Sequence, residues 1–196
     1  MKKIGFKLLS ILMMAAVCVG FAACGDDDDD ENGGGGDAAG YISIDGKTYN
    51  VSHGYYYLES NMIYVNFYNY DHASAVKNND LSALPETINM FSIVYPSAGS
   101  PTPPTGDYNE FEIDFMTINK SDMLAGDDMG TQYIGYPSEG TESQVLKVQK
   151  NGNKYTFQCP EMVYHNYPND KKTVRGAAFS ISCTLAPEPE GGFSIE

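Results

Sequence analysis

The sequence predicts an all-β domain: an antiparallel β-sandwich or a flattened β-barrel built of sequential hairpins. Three observations predict it. Residues 40–196 are rich in Tyr, Phe, Ile, Val and Thr, which suit a pleated, half-buried surface. Gly, Pro, Asn and Asp recur about every ten residues, the spacing of short strands joined by turns. No stretch sustains a helical period, and only "SALPETINM" and "KSDMLAGDDM" offer room for a short helical turn. At about 157 residues the region is long enough for one domain around one core.

The first hairpin is "YISIDGKTYNV". Asp45-Gly46 between two alternating runs is a strong short hairpin signal. With that turn, Ile44 faces Lys47 and Ile42 faces Tyr49, so Ile42, Ile44, Tyr49 and Val51 share the core face. The second hairpin is "GYYYLESNMIYVNFYNY" with Ser60-Asn61 as its turn. Leu58 then faces Ile63, Tyr56 faces Val65 and Gly54 faces Phe67, with these side chains inward. Val51 is odd-numbered and inward, whereas Tyr56 and Leu58 are even-numbered and inward. One extra residue must be absorbed between them, and a β-bulge is expected at Gly54.

The same register turns Tyr55, Tyr57, Tyr64 and Tyr68 outward, with Asn66 between the last two. Tyr57 faces Tyr64, and Tyr55 faces Asn66. An aromatic stripe with phenol and amide groups suits a sugar ring, which stacks its C–H face and hydrogen-bonds its hydroxyls. These five residues are the candidate ligand-binding set. The alternative is that a second sheet or a loop covers them.

Further strands read as "TINMFSIVY", 87–95, and "DYNEFEIDFMTI", 107–118. In the latter Phe111, Ile113 and Phe115 alternate with Glu110, Glu112 and Asp114, giving one wet face. The Pro-rich "PSAGSPTPPTG" joins them as a surface loop. "TQYIGY" is a short strand, and "SQVLKVQKNGNKYTFQC" is a hairpin around Asn151-Gly152-Asn153. The last hairpin runs from Lys154 to Leu185 through "YPNDKK". If its loop centres on Lys171, Cys159 falls opposite Cys183, and a cross-strand disulfide is geometrically allowed. The alternative is two buried thiols. Neither cysteine has a basic neighbour close in sequence to make it a nucleophile.

Upstream of this domain, Lys2, Lys3 and Lys7 precede the apolar run "LLSILMMAAVCVGFAA". A basic start, an apolar middle and small residues before a cut make a secretory signal over residues 1–23. The sequence "FAAC" resembles the cleavage box of bacterial lipoproteins. The resemblance implies that Cys24 becomes the first mature residue and carries diacylglycerol and a further acyl chain, enough to hold a membrane firmly. Residues 24–39 then form a tether, since "GDDDDDE" and the glycines after it bury too little apolar surface to order themselves.

An acidic run just after the lipidated cysteine resembles the surface-export signal of Bacteroidetes lipoproteins. The segments "ISIDGKTYNVSHGYY", "PPTGDY" and "VLKVQKNGNKYTFQC" also resemble small Bacteroidetes lipoproteins of unknown function. The resemblance implies a β fold and an outer-membrane, lipid-anchored address facing the cell exterior. It brings no catalytic residues with it.

The chain's net charge is −14, and residues 40–196 carry 19 acidic against 9 basic residues. A nucleic-acid partner is excluded, because phosphate binding needs a basic surface. The three histidines, His53, His72 and His165, fall in no zinc-ligand spacing. No nucleophile elbow or phosphate-binding glycine loop occurs. Asp122, Asp127 and Asp128 depart from the EF-hand spacing and read as a solvated loop before a calcium site. No cofactor or metal is expected. The expected function is a non-enzymatic binding module for a glycan or an envelope protein. Two alternatives remain: an accessory subunit of an outer-membrane complex, and a carboxylate-based glycan-active enzyme.

Overall fold

A computed structural model of the chain describes residues 36–44, 46–125, 130–135, 144–167 and 173–189. The leader, Cys24 and the acidic run lie outside the described residues. Eleven strands occur among them: β1 (Gly36–Ile44), β2 (Lys47–Glu59), β3 (Met62–Tyr68), β4 (Thr87–Pro96), β5 (Gly106–Tyr108) and β6 (Glu112–Asn119). There follow β7 (Thr131–Gly135), β8 (Leu146–Asn151), β9 (Lys154–Tyr167), β10 (Thr173–Thr184) and β11 (Ala186–Pro187). Two short helices, α1 (His72–Asn78) and α2 (Lys120–Ala125), and a 3-10 turn at Leu81–Ala83 complete the described elements.

The domain is all-β. One sheet contains every strand, in the order β10-β1-β2-β3-β4-β6-β7-β9-β8-β5, with β11 added beside β2. Pairing is antiparallel except for the parallel β11–β2 contact. β9 also pairs with β10, which brings the hydrogen-bonded path back to its first strand. The sheet is folded over one interior, so strands distant in the ladder meet face to face. The Phe67 ring of β3 lies 5.7 Å from Phe157 of β9, and Phe91 of β4 lies 5.0 Å from Phe179 of β10.

The first two hairpins have the registers their turns dictate. Ile42 pairs with Tyr49 and Ile44 with Lys47 around Gly46, whose φ is +74°. Tyr55 to Leu58 pair with Asn66 to Ile63 around Ser60 and Asn61, both with positive φ, the geometry of a type I′ turn. Ile42, Ile44, Val51, Ile63, Val65 and Phe67 all enter the core. The parity change within β2 is therefore real, but its irregularity is not at Gly54. The ladder slips between Asp37 and Gly40 of β1, opposite Val51 and His53, whereas Gly54 pairs regularly with Phe67. Gly54 instead makes room: a Cβ there would stand 2.9 Å from Leu185 Cδ2 and 3.2 Å from Phe67 Cε1.

Three further expectations are corrected. Residues 107–118 are not one strand, because Gly106–Tyr108 pairs with β8 while Glu112–Asn119 pairs with β4 and β7. α1 is a helix where none was expected. Its Asp71 cap accepts from Ser74 N at 3.0 Å and from Ser74 Oγ at 2.6 Å, and Asn79 ends it in the left-handed region. Third, Cys159 pairs with Phe179, and Cys183 pairs with Tyr155. The hairpin is centred near residue 169 rather than on Lys171. The two cysteines are thus offset by four residues, about 13 Å at ~3.3 Å per residue, far beyond a disulfide's reach. Both are free buried thiols, with burial pushing Cys159 up to about 11 and Cys183 up to about 12.

The outer face is covered at one end. Ala75 of α1 and Leu84 pack on Ile88 of β4 and Ile118 of β6 as a second apolar cluster. That cover decides which outward side chains still meet solvent.

Candidate functional site

Tyr55, Tyr57, Tyr64, Asn66 and Tyr68 all face away from the main core, and the ladder places Tyr57 opposite Tyr64 and Tyr55 opposite Asn66. They do not form one open platform. Tyr55 is fully buried, and Asn66 and Tyr68 are buried as well. Two segments cover them: the stretch entering α1, and the strap formed by β11 and Glu188.

The first cover meets Tyr55. Its hydroxyl donates to Asp71 Oδ1 at 3.0 Å and accepts from Ala73 N at 3.0 Å. Burial works against the Asp71 carboxylate, yet the Ser74 hydroxyl, the Ser74 amide and Tyr55 together hold it below its usual range. Burial drives the Tyr55 phenol well above its ordinary value.

The second cover meets Asn66 and Tyr68. Glu188 N donates to Tyr56 O at 2.9 Å, continuing the two-residue parallel pairing of β11. The Glu188 side chain turns down onto the sheet, where Asn66 Nδ2 donates to Oε2 at 2.5 Å and Tyr68 OH donates to Oε1 at 2.8 Å. His72 Nε2 lies 4.0 Å from Oε1, its ring stacks on Tyr68 at 4.3 Å, and its Nδ1 is 3.0 Å from Tyr70 OH. Burial lowers His72 despite the nearby Asp71 charge. Burial followed by the Glu188 charge raises Tyr68, and the same two causes push Tyr70 up to about 12.

What remains open is Tyr57, with the half-buried Tyr64 against it. Their rings stack at 4.6 Å with planes 6° apart. Tyr57 is 37% exposed, and Leu58 beside it is 47% exposed. Both stand past the ends of β1 and β11, whose pairing with β2 stops at Gly54 and Tyr56, so Leu58 stays exposed although it shares the parity of the core residues. The open face is the outer side of a stacked phenol pair where β2 extends beyond its pairing with β1 and β11.

A polar row crosses the outer face from this region. Tyr55, Asn66, Ser92 and Asp114 are directly opposite one another on β2, β3, β4 and β6. Ser92 Oγ donates to Asn66 Oδ1. Asp114 Oδ2 accepts from Gln132 Nε2 at 2.8 Å, while its Oδ1 is buried without a partner. Burial raises both Asp114 and Glu112, and Asp114 raises Glu112 further. On the other side of β2, Tyr56 opens on a cleft of about 340 Å³ that Lys150, Tyr155 and Leu185 also line. Lys150 Nζ donates there to Tyr155 OH at 3.0 Å.

Among the described residues no group of His, Cys, Asp and Glu is placed to hold a metal ion, and no helix is long and apolar enough to cross a membrane. Asp122 accepts from Asn119 Nδ2 at 3.1 Å, and Asp127 and Asp128 lie outside the described residues. Glu188, Asp71, His72 and Tyr70 were not among the expected site residues. The signal for Asp71 was readable, an Asp before "HASAVKN". Glu188 gave none, because its partners lie 120 and 122 residues away. No protein-family model matches the chain, and searches of curated proteins and of solved structures find no significant match.

Proposed function

We propose that this protein is a lipid-anchored cell-envelope module, displayed on the exterior of an outer membrane through Cys24, that binds a glycan without chemical turnover. The address rests on the lipoprotein-like "FAAC" box and the acidic run that follows it. The single observation that carries the binding role is Tyr57, exposed at the β2–β3 hairpin and stacked on the half-buried Tyr64. Two phenols offer a flat apolar surface to sugar C–H groups and hydroxyls at the rim to their O–H groups. Tyr55, Asn66 and Tyr68 flank the pair on the same face of the sheet and are not open to a ligand while their covers are in place.

The test is a glycan-binding screen on the full chain beside the Tyr57→Ala, Tyr64→Ala double variant. The wild type should bind at least one polysaccharide, and the variant should lose that binding by tenfold or more with an unchanged circular dichroism spectrum. Binding that survives in the variant, or none across a broad panel, overturns the reading.

A further inference from the structure

Glu188 occupies a cradle that is built by β3 and α1 and not by the strap. Asn66 and Tyr68, each less than a tenth exposed, aim an amide N–H and a phenol O–H at one carboxylate, and His72 closes the third side at 4.0 Å. Asn66 is itself fixed from behind by the Ser92 hydroxyl, which sets the amide so that its NH₂ faces the carboxylate. Among the described residues the backbone of the strap, by contrast, is held beyond Leu185 by two residues of parallel pairing and one further amide bond. A rigid carboxylate receptor is thus filled by a weakly paired piece of the same chain.

This cradle borders the open tyrosine pair. Tyr64, Asn66 and Tyr68 lie on one face of β3, so Tyr64 and Asn66 are about 7 Å apart along the strand. The Glu188 charge also reaches Tyr57, whose phenol it raises after burial. A pyranose stacked on Tyr57–Tyr64 with its ring carboxylate turned along β3 would reach the Asn66 amide.

We propose that the Asn66–Tyr68–His72 cradle is a carboxylate subsite for an acidic sugar, a hexuronate, and that Glu188 occupies it in place of the ligand until the strap is displaced. The inference rests on the reading of Tyr57–Tyr64 as a sugar-binding face. The exchange swaps one carboxylate for another, so the buried donors stay satisfied in both states, which a buried polar group requires. The acidic chain repels an acidic sugar at long range, so binding should tighten as salt screens that repulsion.

The experiment titrates the full chain, wild type and Glu188→Ala, with D-glucuronate and with D-glucose, following tyrosine and histidine ring resonances. Glu188→Ala should bind glucuronate at least tenfold more tightly than glucose. Adding Tyr68→Phe, which removes one hydroxyl, should reduce that preference. In the wild type, saturating glucuronate should speed hydrogen exchange at the Glu188 amide, which glucose should leave unchanged. Equal binding of the two sugars by Glu188→Ala overturns the cradle and leaves the Tyr57–Tyr64 face standing. Binding of neither overturns both. A glucuronate gain confined to Glu188→Ala, with the wild-type amide unmoved, overturns the exchange of Glu188 for the ligand. If Glu188→Ala fails to fold, the wild-type amide decides alone.

Discussion

His72 is surrounded by groups that pull its protonation in opposite directions. Tyr68 stacks on its ring and Tyr55 meets it edge-on, which strips water from the imidazole. Asp71 beside it and Glu188 at 4.0 Å favour the charged form. Desolvation wins, and the folded protein holds His72 below its ordinary value of 6.5. The unfolded chain therefore takes up this proton first as pH falls. Stability from His72 is complete above pH 6.5 and declines as the pH drops below it, since stability rises with pH wherever the unfolded state binds more protons. Glu112 and Asp114 act with the opposite sign, because burial raises them and acid relieves their cost. Comparison with His72→Gln isolates the histidine. The wild-type melting temperature should fall more steeply than that of His72→Gln between about pH 7.5 and 5.5, the range around an ordinary histidine. Parallel profiles would show that the imidazole is equally comfortable charged in the folded protein.

At the scale of elements, local signals were the ones the sequence could display. The turn at Gly46, between Ile44 and Lys47, and the turn at Ser60-Asn61 each fix the register of a whole hairpin, including the pairing of Tyr57 with Tyr64. The β9–β10 hairpin has a longer loop, and ladder irregularities on either side of Ala177, so the position of its centre could not be read from its ends. That four-residue offset separated Cys159 from Cys183. The covers of Tyr55 and Tyr68 were illegible for another reason: alternation says which way a side chain points, and nothing about what lies above it. Close approach between β1 and β10 was equally invisible. Gly40 pairs with Ile181, and a Cβ there would stand 2.3 Å from Ser180 O and 2.6 Å from Ile181 Cα. Both are backbone atoms, so no rotamer change can relieve the contact. Gly40→Ala should destabilise the protein by about 1–3 kcal/mol or more, the scale of forced overpacking, read as a lower denaturation midpoint. Hydrogen exchange should rise first along the β1–β10 ladder. A neutral substitution would mean that the two strands can separate without loss.

For the whole molecule, charge and topology act together. The β1–β10 ladder joins residues about 145 positions apart, such as Ala38 and Cys183, so the fold depends on contacts that form only after most of the chain is in place. That collapse gathers the 19 acidic and 9 basic residues of positions 40–196, a net charge of −10. Among the described residues attractive pairs offset little of it. Lys120 Nζ donates to the Ser82 and Leu84 carbonyls and Lys150 to a phenol, while the His72–Glu188 contact is long at 4.0 Å. Self-repulsion of like charge destabilises a compact state, and salt screens it at surface distances. Sodium chloride at about 0.5 M should therefore raise the melting temperature. Each ~1 kcal/mol of relief corresponds to roughly 2–4 °C for a chain of this size. The Glu188 cradle should contribute nothing to the rise, since its hydrogen bonds are buried from the ions that screen the surface. Glu188→Ala should hence melt lower than the wild type yet show the same increment with salt. A melting temperature that falls on adding salt would mean that unseen ion pairs, and not net repulsion, dominate the electrostatics of the folded chain.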